Sequence, residues 1–150
     1  MRALVQRVLN ADVSVDGRIV GECKNGYMIL FCATETDCED DIELLARKTV
    51  NLRVMEDENG KMNLSVLDTD GEILCISQFT LAADTKKGNR PSFIKAMEPK
   101  RAEEFYERYC DALKNLGVKH VGKGVFGADM KVSLINDGPV TIMLDTDVWK

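Results

Sequence analysis

The sequence contains only one histidine, His120, among its 150 residues. A Ser-His-Asp triad would have to depend on this one residue, and a metal site normally needs several nitrogen or sulfur ligands. His120 stands between Lys119 and Val121 in a short strand-like stretch, which favours a surface or hydrogen-bonded histidine. We therefore predict no metal and no cofactor, and a hydrolase with this composition would have to work without a triad.

Cysteine pairs with the C-x-x-C spacing are absent as well. The five cysteines are Cys23, Cys32, Cys38, Cys75 and Cys110. Their odd number and scattered positions argue against a disulfide framework or a zinc site. Cys32 and Cys75 lie in apolar runs, where a free cysteine usually packs as a small core residue, so we predict a structural role for them.

The chain also lacks an apolar run of the roughly 20 residues needed to span a bilayer. Its first residues, MRALVQRVLNADVSV, alternate polar and apolar side chains and contain no apolar signal core. We therefore expect a cytoplasmic protein with no membrane partner.

Acidic residues outnumber basic residues by 25 to 20, for a net charge of −5. This balance argues against a general nucleic-acid binder, and we expect no DNA partner. The charge is uneven, because KKGNRPSFIKAMEPKR, residues 86–101, has six basic residues and one acidic residue. This basic segment is either a solvated loop or the contact for one phosphate-bearing ligand.

Turn signals and apolar periodicity divide the chain into strands and two helices. The strand-like stretches are Ala3–Val15, Ile19–Glu22, Tyr27–Ala33, Lys61–Val66, Glu72–Gln78, Lys119–Val121 and Lys131–Asp145. The helices are predicted from about Asp37 to Met55 and from Pro99 to Gly117, each with an inward apolar stripe. We predict one α+β domain over residues 1–150, a mostly antiparallel, barrel-like sheet roll covered by two main helices.

Two short motifs are candidates for function. GKGVFG, residues 122–127, matches G-x-G-x-x-G, but a dinucleotide site needs a helix directly after it, and the strand-like ADMKVSLIND follows instead. Its glycines indicate tight turns or close backbone approach. In SQFTL, residues 77–81, polar side chains bracket Phe79 where a strand ends, and their hydroxyl, amide and backbone N–H groups can hold a developing oxyanion. A plain polar strand exit is the alternative.

A third stretch, INDGPVTIML, alternates like a half-buried strand but has Gly138-Pro139 at its head. Proline has no N–H for a sheet ladder, and glycine is costly to order. The pair indicates either a turn or a rigid backbone loop that is presented to a ligand.

SQFTLAADTKKGNRPSF and FGADMKVSLINDGPVT resemble the D-aminoacyl-tRNA deacylase family, as do MRALVQRV, ENGKMNLSV and DGEILCISQFTL. The resemblance extends over essentially the whole chain, in the family's order. It implies hydrolysis of the ester between a D-amino acid and the 3′ adenosine of tRNA, and of glycine mischarged onto tRNA. It also implies aminoacyl-tRNA and a second copy of the chain as partners.

The resemblance assigns roles to several residues outside SQFTL. In the family the Gly-Pro peptide is cis and enters the pocket of the other subunit beside SQFTL. Here the pair is Gly138-Pro139, whose carbonyl groups would accept the substrate's α-amino group and leave no room for an L side chain. Arg7 is assigned to bracing this loop, and Phe126 and Met130 to the adenosine pocket.

The predicted catalytic residues are Ser77, Gln78, Phe79 and Thr80, and the predicted tRNA contacts are Lys86, Lys87 and Arg90. An aminoacyl ester is already activated, so that positioning and oxyanion stabilisation suffice without a triad. We favour attack by water assisted by the ribose 2′-hydroxyl, with backbone N–H groups near Phe79 and Ala82 as donors. Thr80 as a covalent nucleophile is the alternative.

Two other classes of protein stay open at this point. A non-catalytic dimeric module for a nucleotide or metabolite would suit the lone histidine. A peptide or lipid esterase would need a G-x-S-x-G elbow and a second histidine, and the sequence has neither.

Overall fold

The computed structural model describes every residue from Met1 to Lys150 and contains eight strands and two α-helices. The strands are β1 (Arg2–Val15), β2 (Arg18–Cys23), β3 (Gly26–Cys32), β4 (Met55–Glu56), β5 (Met62–Leu64), β6 (Glu72–Ser77), β7 (Val121–Lys123) and β8 (Lys131–Asp145). The helices are α1 (Glu39–Val50) and α2 (Pro99–Asn115), and Phe79–Ala82 and Thr146–Val148 form short 3₁₀ turns. Neither α-helix is long and apolar enough to cross a bilayer.

The long strand β1 organises the main sheet. Its first half pairs with β3 and its second half with β2, while β8 pairs with it from Arg2 to Ser14; all three partners are antiparallel. Beyond β3 the sheet continues through β6 and β7, and both of these pairings are parallel. The sheet is therefore mixed but mostly antiparallel, as predicted.

Close approach of β2 to β7 bends the sheet into a nearly closed barrel. A Cβ atom at Gly122 would lie 2.5 Å from the Glu22 carbonyl oxygen, a separation that real side chains do not adopt. The ring Nε2 of His120 lies 2.7 Å from the same carbonyl oxygen. Gly122 is thus required for backbone approach, as we inferred for the GKGVFG glycines, and the barrel-like roll is confirmed.

The two helices cover one face of the sheet and bury its aromatic residues. Phe31 of β3 stacks on Tyr109 of α2 with ring centroids 4.8 Å apart. The Tyr109 hydroxyl lies 2.8 Å from Thr49 Oγ1 of α1, so one hydrogen bond joins the two helices inside the core. Cys32 and Cys75 are buried, which confirms their predicted structural placement.

Several predicted boundaries were wrong. Helix α1 spans Glu39–Val50 rather than Asp37–Met55. After the helix ends, the Val54 carbonyl accepts a hydrogen bond from Arg7 Nη1 of β1 at 2.8 Å. The segment that follows α1 is therefore bonded to the sheet and does not continue the helix. The strand predicted at residues 61–66 shrinks to β5, which pairs only with β4 in a small separate hairpin.

Candidate active site

The SQFTL motif lies where β6 ends and turns away from the sheet. Gln78 donates its backbone N–H to the Phe31 carbonyl at 2.7 Å, and the chain then enters the 3₁₀ turn Phe79–Ala82. The first hydrogen bond of this turn runs from the Leu81 N–H to the Gln78 carbonyl at 3.3 Å. The N–H groups of Phe79 and Thr80 precede it, and N–H groups in a first turn have no acceptor within that turn. These two groups are the candidate oxyanion donors.

The side chains of Phe79 and Thr80 face outward. Phe79 is 55% exposed, and Thr80 is exposed beside it. Gln78 Nε2 donates a hydrogen bond to Thr80 Oγ1 at 2.5 Å, so the Thr80 hydroxyl accepts at this contact. Ser77, the last residue of β6, is partly buried. The structure thus brings the four predicted catalytic residues together on one strand end.

An apolar cleft of about 390 Å³ opens beside the turn. Phe79 and Phe93 meet edge to face at its wall, with centroids 5.1 Å apart, and Phe126 lines the same cleft. Flat apolar walls of this kind accept a nucleobase by stacking. Phe93 belongs to the GNRPSF stretch, and we had assigned it no role, because the spacing of residues does not reveal a contact with Phe79.

Two predicted substrate-binding residues lie elsewhere. Ala82 is only 3% exposed, and it borders a polar cleft with Arg2 and Lys86 on the other side of the turn. Met130 packs with the smaller core group that includes Ile76, and its Sδ would be 2.6 Å from a Cβ at Gly124. Ala82 supports the turn from inside, and Met130 fills space over a glycine.

Gly138-Pro139 forms an outward bulge in β8. Gln6 pairs with Thr141 and Val8 pairs with Asn136. Residues 137–140 of β8 therefore lie opposite one residue of β1, Arg7. The Gly138-Pro139 peptide is cis, and both residues are exposed. The bulge is therefore accessible from outside the protomer.

Arg7, the residue opposite the bulge, holds it from below. Arg7 is 5% exposed; its Nε donates to the Asp137 carbonyl at 3.1 Å and its Nη1 to the Val54 carbonyl at 2.8 Å. Asp137 and Glu56 carboxylates lie 3.5 and 3.6 Å from the guanidinium. This geometry matches the bracing position that the resemblance assigned to Arg7.

Within one chain the bulge and the turn are far apart. Arg7, opposite the bulge, pairs with Tyr27, and Tyr27 pairs with Ile73 at the start of β6, four residues before Ser77. The offset is about 13 Å along the strands and about 14 Å across three strand spacings. The bulge therefore does not contact the turn of its own protomer.

The basic loop lies next to the turn. Backbone hydrogen bonds between Asp84 and Ser92, at 2.8 and 2.9 Å, close the loop that carries Lys86, Lys87 and Arg90, all exposed. The Lys86 backbone N–H holds the pKa of the Asp84 carboxyl below its usual range. Three positive side chains are therefore available to a ligand a few residues beyond the turn.

His120 does not approach this site. It is held at the junction of β2 and β7 by the Glu22 carbonyl, and β7 pairs with the opposite end of β6 from Ser77. No three His, Cys, Asp or Glu side chains lie close enough together to hold a metal ion. The groups present at the turn are backbone N–H groups, an amide and hydroxyls.

Comparison with known proteins assigns this arrangement to a family. The family model described as D-Tyr-tRNA(Tyr) deacylase matches residues 4–145. The D-aminoacyl-tRNA deacylase of Magnetococcus marinus is 55% identical over 145 residues, covering 97% of this chain and 96% of that protein. The D-aminoacyl-tRNA deacylase of Thermosipho africanus is 51% identical over 146 residues, covering 97% of each chain.

Solved structures agree on the fold. A protein named c-Myc DNA Unwinding Element Binding Protein superimposes with a TM-score of 0.92 at 43% identity, covering 97% of this chain and 98% of that one. A probable eukaryotic D-amino acid tRNA deacylase superimposes with a TM-score of 0.79 at 15% identity, covering 95% and 97%, and supports the fold alone.

The chain is therefore a hydrolase of the class that removes amino acids from tRNA, with aminoacyl-tRNA as its substrate. It belongs to the D-Tyr-tRNA(Tyr) deacylase family. This membership confirms the family resemblance seen in the sequence. It also argues against the alternative that the chain is a non-catalytic binding module.

Proposed function

We propose that the protein is a homodimeric chiral proofreading enzyme. It hydrolyses the ester of D-aminoacyl-tRNA, and of glycine mischarged onto tRNA, and releases the free amino acid and tRNA. It acts in the cytoplasm, where translation supplies its substrate, and it takes neither DNA nor a membrane as partner. The observation that carries the proposal is the separation of two parts of one site, the Phe79–Ala82 turn and the Gly138-Pro139 bulge.

The turn and the apolar cleft supply the chemistry. The terminal adenine lies in the cleft against Phe79 and Phe126, which sets the ester carbonyl beside the Phe79 and Thr80 N–H groups. These donors stabilise the negative charge that develops on the carbonyl oxygen. Water attacks with help from the ribose 2′-hydroxyl. We favour this route over attack by Thr80, because the lone histidine, His120, is held at the β2–β7 junction and cannot take the proton of the Thr80 hydroxyl; Thr80 as a covalent nucleophile remains the alternative.

The bulge supplies the stereochemical selection. Because it cannot reach the turn of its own chain, it completes the site of a second copy in a two-fold dimer with two equivalent sites. Its carbonyl groups accept the substrate's α-amino group, and the backbone wall excludes an L side chain. Glycine has no side chain to exclude, so the same wall admits glycyl-tRNA.

The basic loop supplies affinity for the rest of the tRNA. Lys86, Lys87 and Arg90 are exposed beside the site, and phosphate contacts position a nucleic acid without reading its sequence. This role places the three residues in binding and leaves the chemistry to the turn.

A paired deacylation assay tests the activity. D-Tyr-tRNA, L-Tyr-tRNA and Gly-tRNA are each incubated with the enzyme, and loss of the aminoacyl label is followed against an enzyme-free control. We expect rapid release from D-Tyr-tRNA and Gly-tRNA and none from L-Tyr-tRNA. Equal rates on the D and L esters would refute the chiral selection, and a stable Gly-tRNA would refute glycine editing alone.

Mixed dimers test the shared site. Phe79→Ala damages the turn and Gly138→Ala damages the bulge, and each homodimer is expected to lose most of its activity. In a heterodimer of the two, one site combines both lesions and the other combines an intact turn with an intact bulge. Tagged heterodimers should therefore regain about half of the parental activity, whereas sites within one chain would give only the mean of the two reduced homodimer activities.

A further inference from the structure

A row of three side chains crosses the sheet and ends beneath the active-site turn. Arg2 pairs with Asp145 of β8 on one side and with Cys32 of β3 on the other. Directly paired residues in antiparallel strands place their side chains on the same face. This row contacts the turn at two of its carbonyl groups.

Arg2 makes the outer contact of the row. Its Nη1 donates to the Leu81 carbonyl at 2.6 Å, and its Nε donates to Asp145 Oδ2 at 3.1 Å. The Arg2 side chain is 32% exposed, and ion pairs with that exposure add little to folding stability. The pair instead orients the Arg2 side chain, because the planar guanidinium binds the Asp145 carboxylate and the Leu81 carbonyl in a fixed geometry.

Cys32 makes the inner contact. It is 2% exposed, and its Sγ lies 3.7 Å from the Phe79 carbonyl oxygen. Burial raises the pKa of its thiol to about 11, with the Ala82 N–H beside the sulfur as a minor opposing influence. The thiol is therefore protonated at neutral pH and available as a weak donor to the turn.

These contacts fix the orientation of the turn. A peptide unit is planar, and its C=O and N–H groups point in opposite directions. With the Leu81 carbonyl bound by Arg2 and the Phe79 carbonyl beside Cys32 Sγ, two peptide units of the turn are held from the sheet side. The Thr80 N–H shares a planar peptide with the Phe79 carbonyl, so it points away from Cys32 and the sheet.

We propose that Arg2, oriented by Asp145, is a positioning residue for deacylation. It does not contact the substrate in this proposal. It holds the Leu81 carbonyl so that the Phe79 and Thr80 N–H groups stay aimed at the ester carbonyl. The inference rests on the proposed function of the turn.

The expected effect appears in turnover rather than in binding. Loss of one oxyanion donor costs on the order of 10²–10³ in kcat, and a displacement of about 1 Å in a catalytic group can cost about 10²-fold. Arg2→Met keeps an unbranched apolar stem and removes the guanidinium fork, leaving the Phe79 and Thr80 N–H donors present but less well aimed. We expect kcat to fall about 10-fold or more, with KM within about 2-fold of the parent.

Arg108→Met is the matched control. Arg108 is also partly exposed and forms an ion pair, with Glu39 at 3.0 Å, but it lies on α2 away from the turn. Its kcat should stay parental. Arg2→Lys, which retains one donor for the Leu81 carbonyl, should recover part of the lost kcat at unchanged melting temperature.

Amide NMR gives a readout that does not depend on activity. In ¹⁵N-labelled protein, Arg2→Met should shift the amide resonances of Thr80 and Ala82, and Arg108→Met should leave them unchanged. Asp145→Asn provides a second variant if Arg2→Met folds poorly, because it weakens the ion pair but retains the Oδ1 acceptor that the Asp147 N–H uses at 3.0 Å. It should lower kcat in the same direction by a smaller factor.

The outcomes separate this inference from the proposed function. If the parent enzyme does not deacylate D-Tyr-tRNA, the proposed function is refuted. An active parent whose Arg2→Met variant keeps its kcat, or loses no more than Arg108→Met does, removes the positioning role alone. Failure of Arg2→Lys to recover any activity, or unshifted Thr80 and Ala82 amides in Arg2→Met, would also overturn it.

Discussion

Gly138 is the position where one added methyl group most directly tests the Gly-Pro bulge. Its backbone φ is +123°, and a Cβ there would lie 2.9 Å from Val140 Cγ2 and 3.0 Å from Arg7 Nη2. Arg7 has little freedom to move, since it is buried and bonded to the Val54 and Asp137 carbonyls at 2.8 and 3.1 Å. Gly138→Ala must therefore displace the bulge itself.

The size of the effect follows from the backbone conformation. A residue with a side chain held in such a region costs of order 1–3 kcal/mol. If that strain is released by moving the bulge, the fraction of molecules with the native bulge falls about 5- to 160-fold. Activity on D-Tyr-tRNA should fall by a similar factor. Folding should suffer less, because the bulge is exposed and can relax into solvent.

Gly60→Ala is the matched control for Gly138→Ala. Gly60 also has a positive φ, +73°, but nothing lies within 4 Å of its Cβ position, and it sits in the turn between β4 and β5. Both variants are assayed on D-Tyr-tRNA and L-Tyr-tRNA, with melting curves for each. Parental kcat/KM for Gly138→Ala, with L-Tyr-tRNA still rejected, would refute the assignment of the bulge to the site.

Three further results are expected. Thr80→Ala should keep much of its kcat, because the backbone donors remain. A tRNA that ends in 2′-deoxyadenosine should be a poor substrate. A well-folded but inactive Thr80→Ala enzyme would instead support Thr80 as a covalent nucleophile. Replacing Lys86 and Lys87 by alanine should raise KM and flatten its salt dependence with kcat nearly intact, and Lys61→Ala should change neither; an unchanged KM at every salt concentration would mark the loop as merely solvated. Only Cys38 is exposed among the cysteines, so one thiol per chain should react with a disulfide reagent in the native protein and five after denaturation; fast reaction of a second native thiol would contradict the buried placements.

Local pattern sufficed where a feature depends on neighbours in sequence. The alternation of β1 and β8 and the polar end of β6 come from side chains that face opposite sides of a strand. The sequence therefore predicted the strands of the main sheet and the α+β class, but it missed β4, which begins at the last residue of the predicted first helix. It also placed the aromatic face of α2 correctly in the core, where Phe105, Tyr106 and Tyr109 are buried.

Pattern failed where position depends on strand register between distant segments. Ala82 follows Thr80 closely in sequence, but a 3₁₀ turn rotates it toward Cys32 and away from the cleft. Arg2 carried no sequence signal, because its partners Leu81 and Asp145 lie 79 and 143 residues away. The packing of Met130 over Gly124 likewise carried no sequence signal.

The two faces of the turn explain how a site can work without a triad. On the inner face, the Leu81 carbonyl is bound by Arg2 and the Phe79 carbonyl lies beside Cys32, so the backbone dipoles there are already held. On the outer face, the first N–H groups of the turn have no acceptor within it. Donors fixed in this way need no reorganisation as charge develops on the ester oxygen. An activated ester then requires little beyond a water molecule and correct placement, and we propose that a cleft in one protomer and the bulge of a second protomer provide that placement.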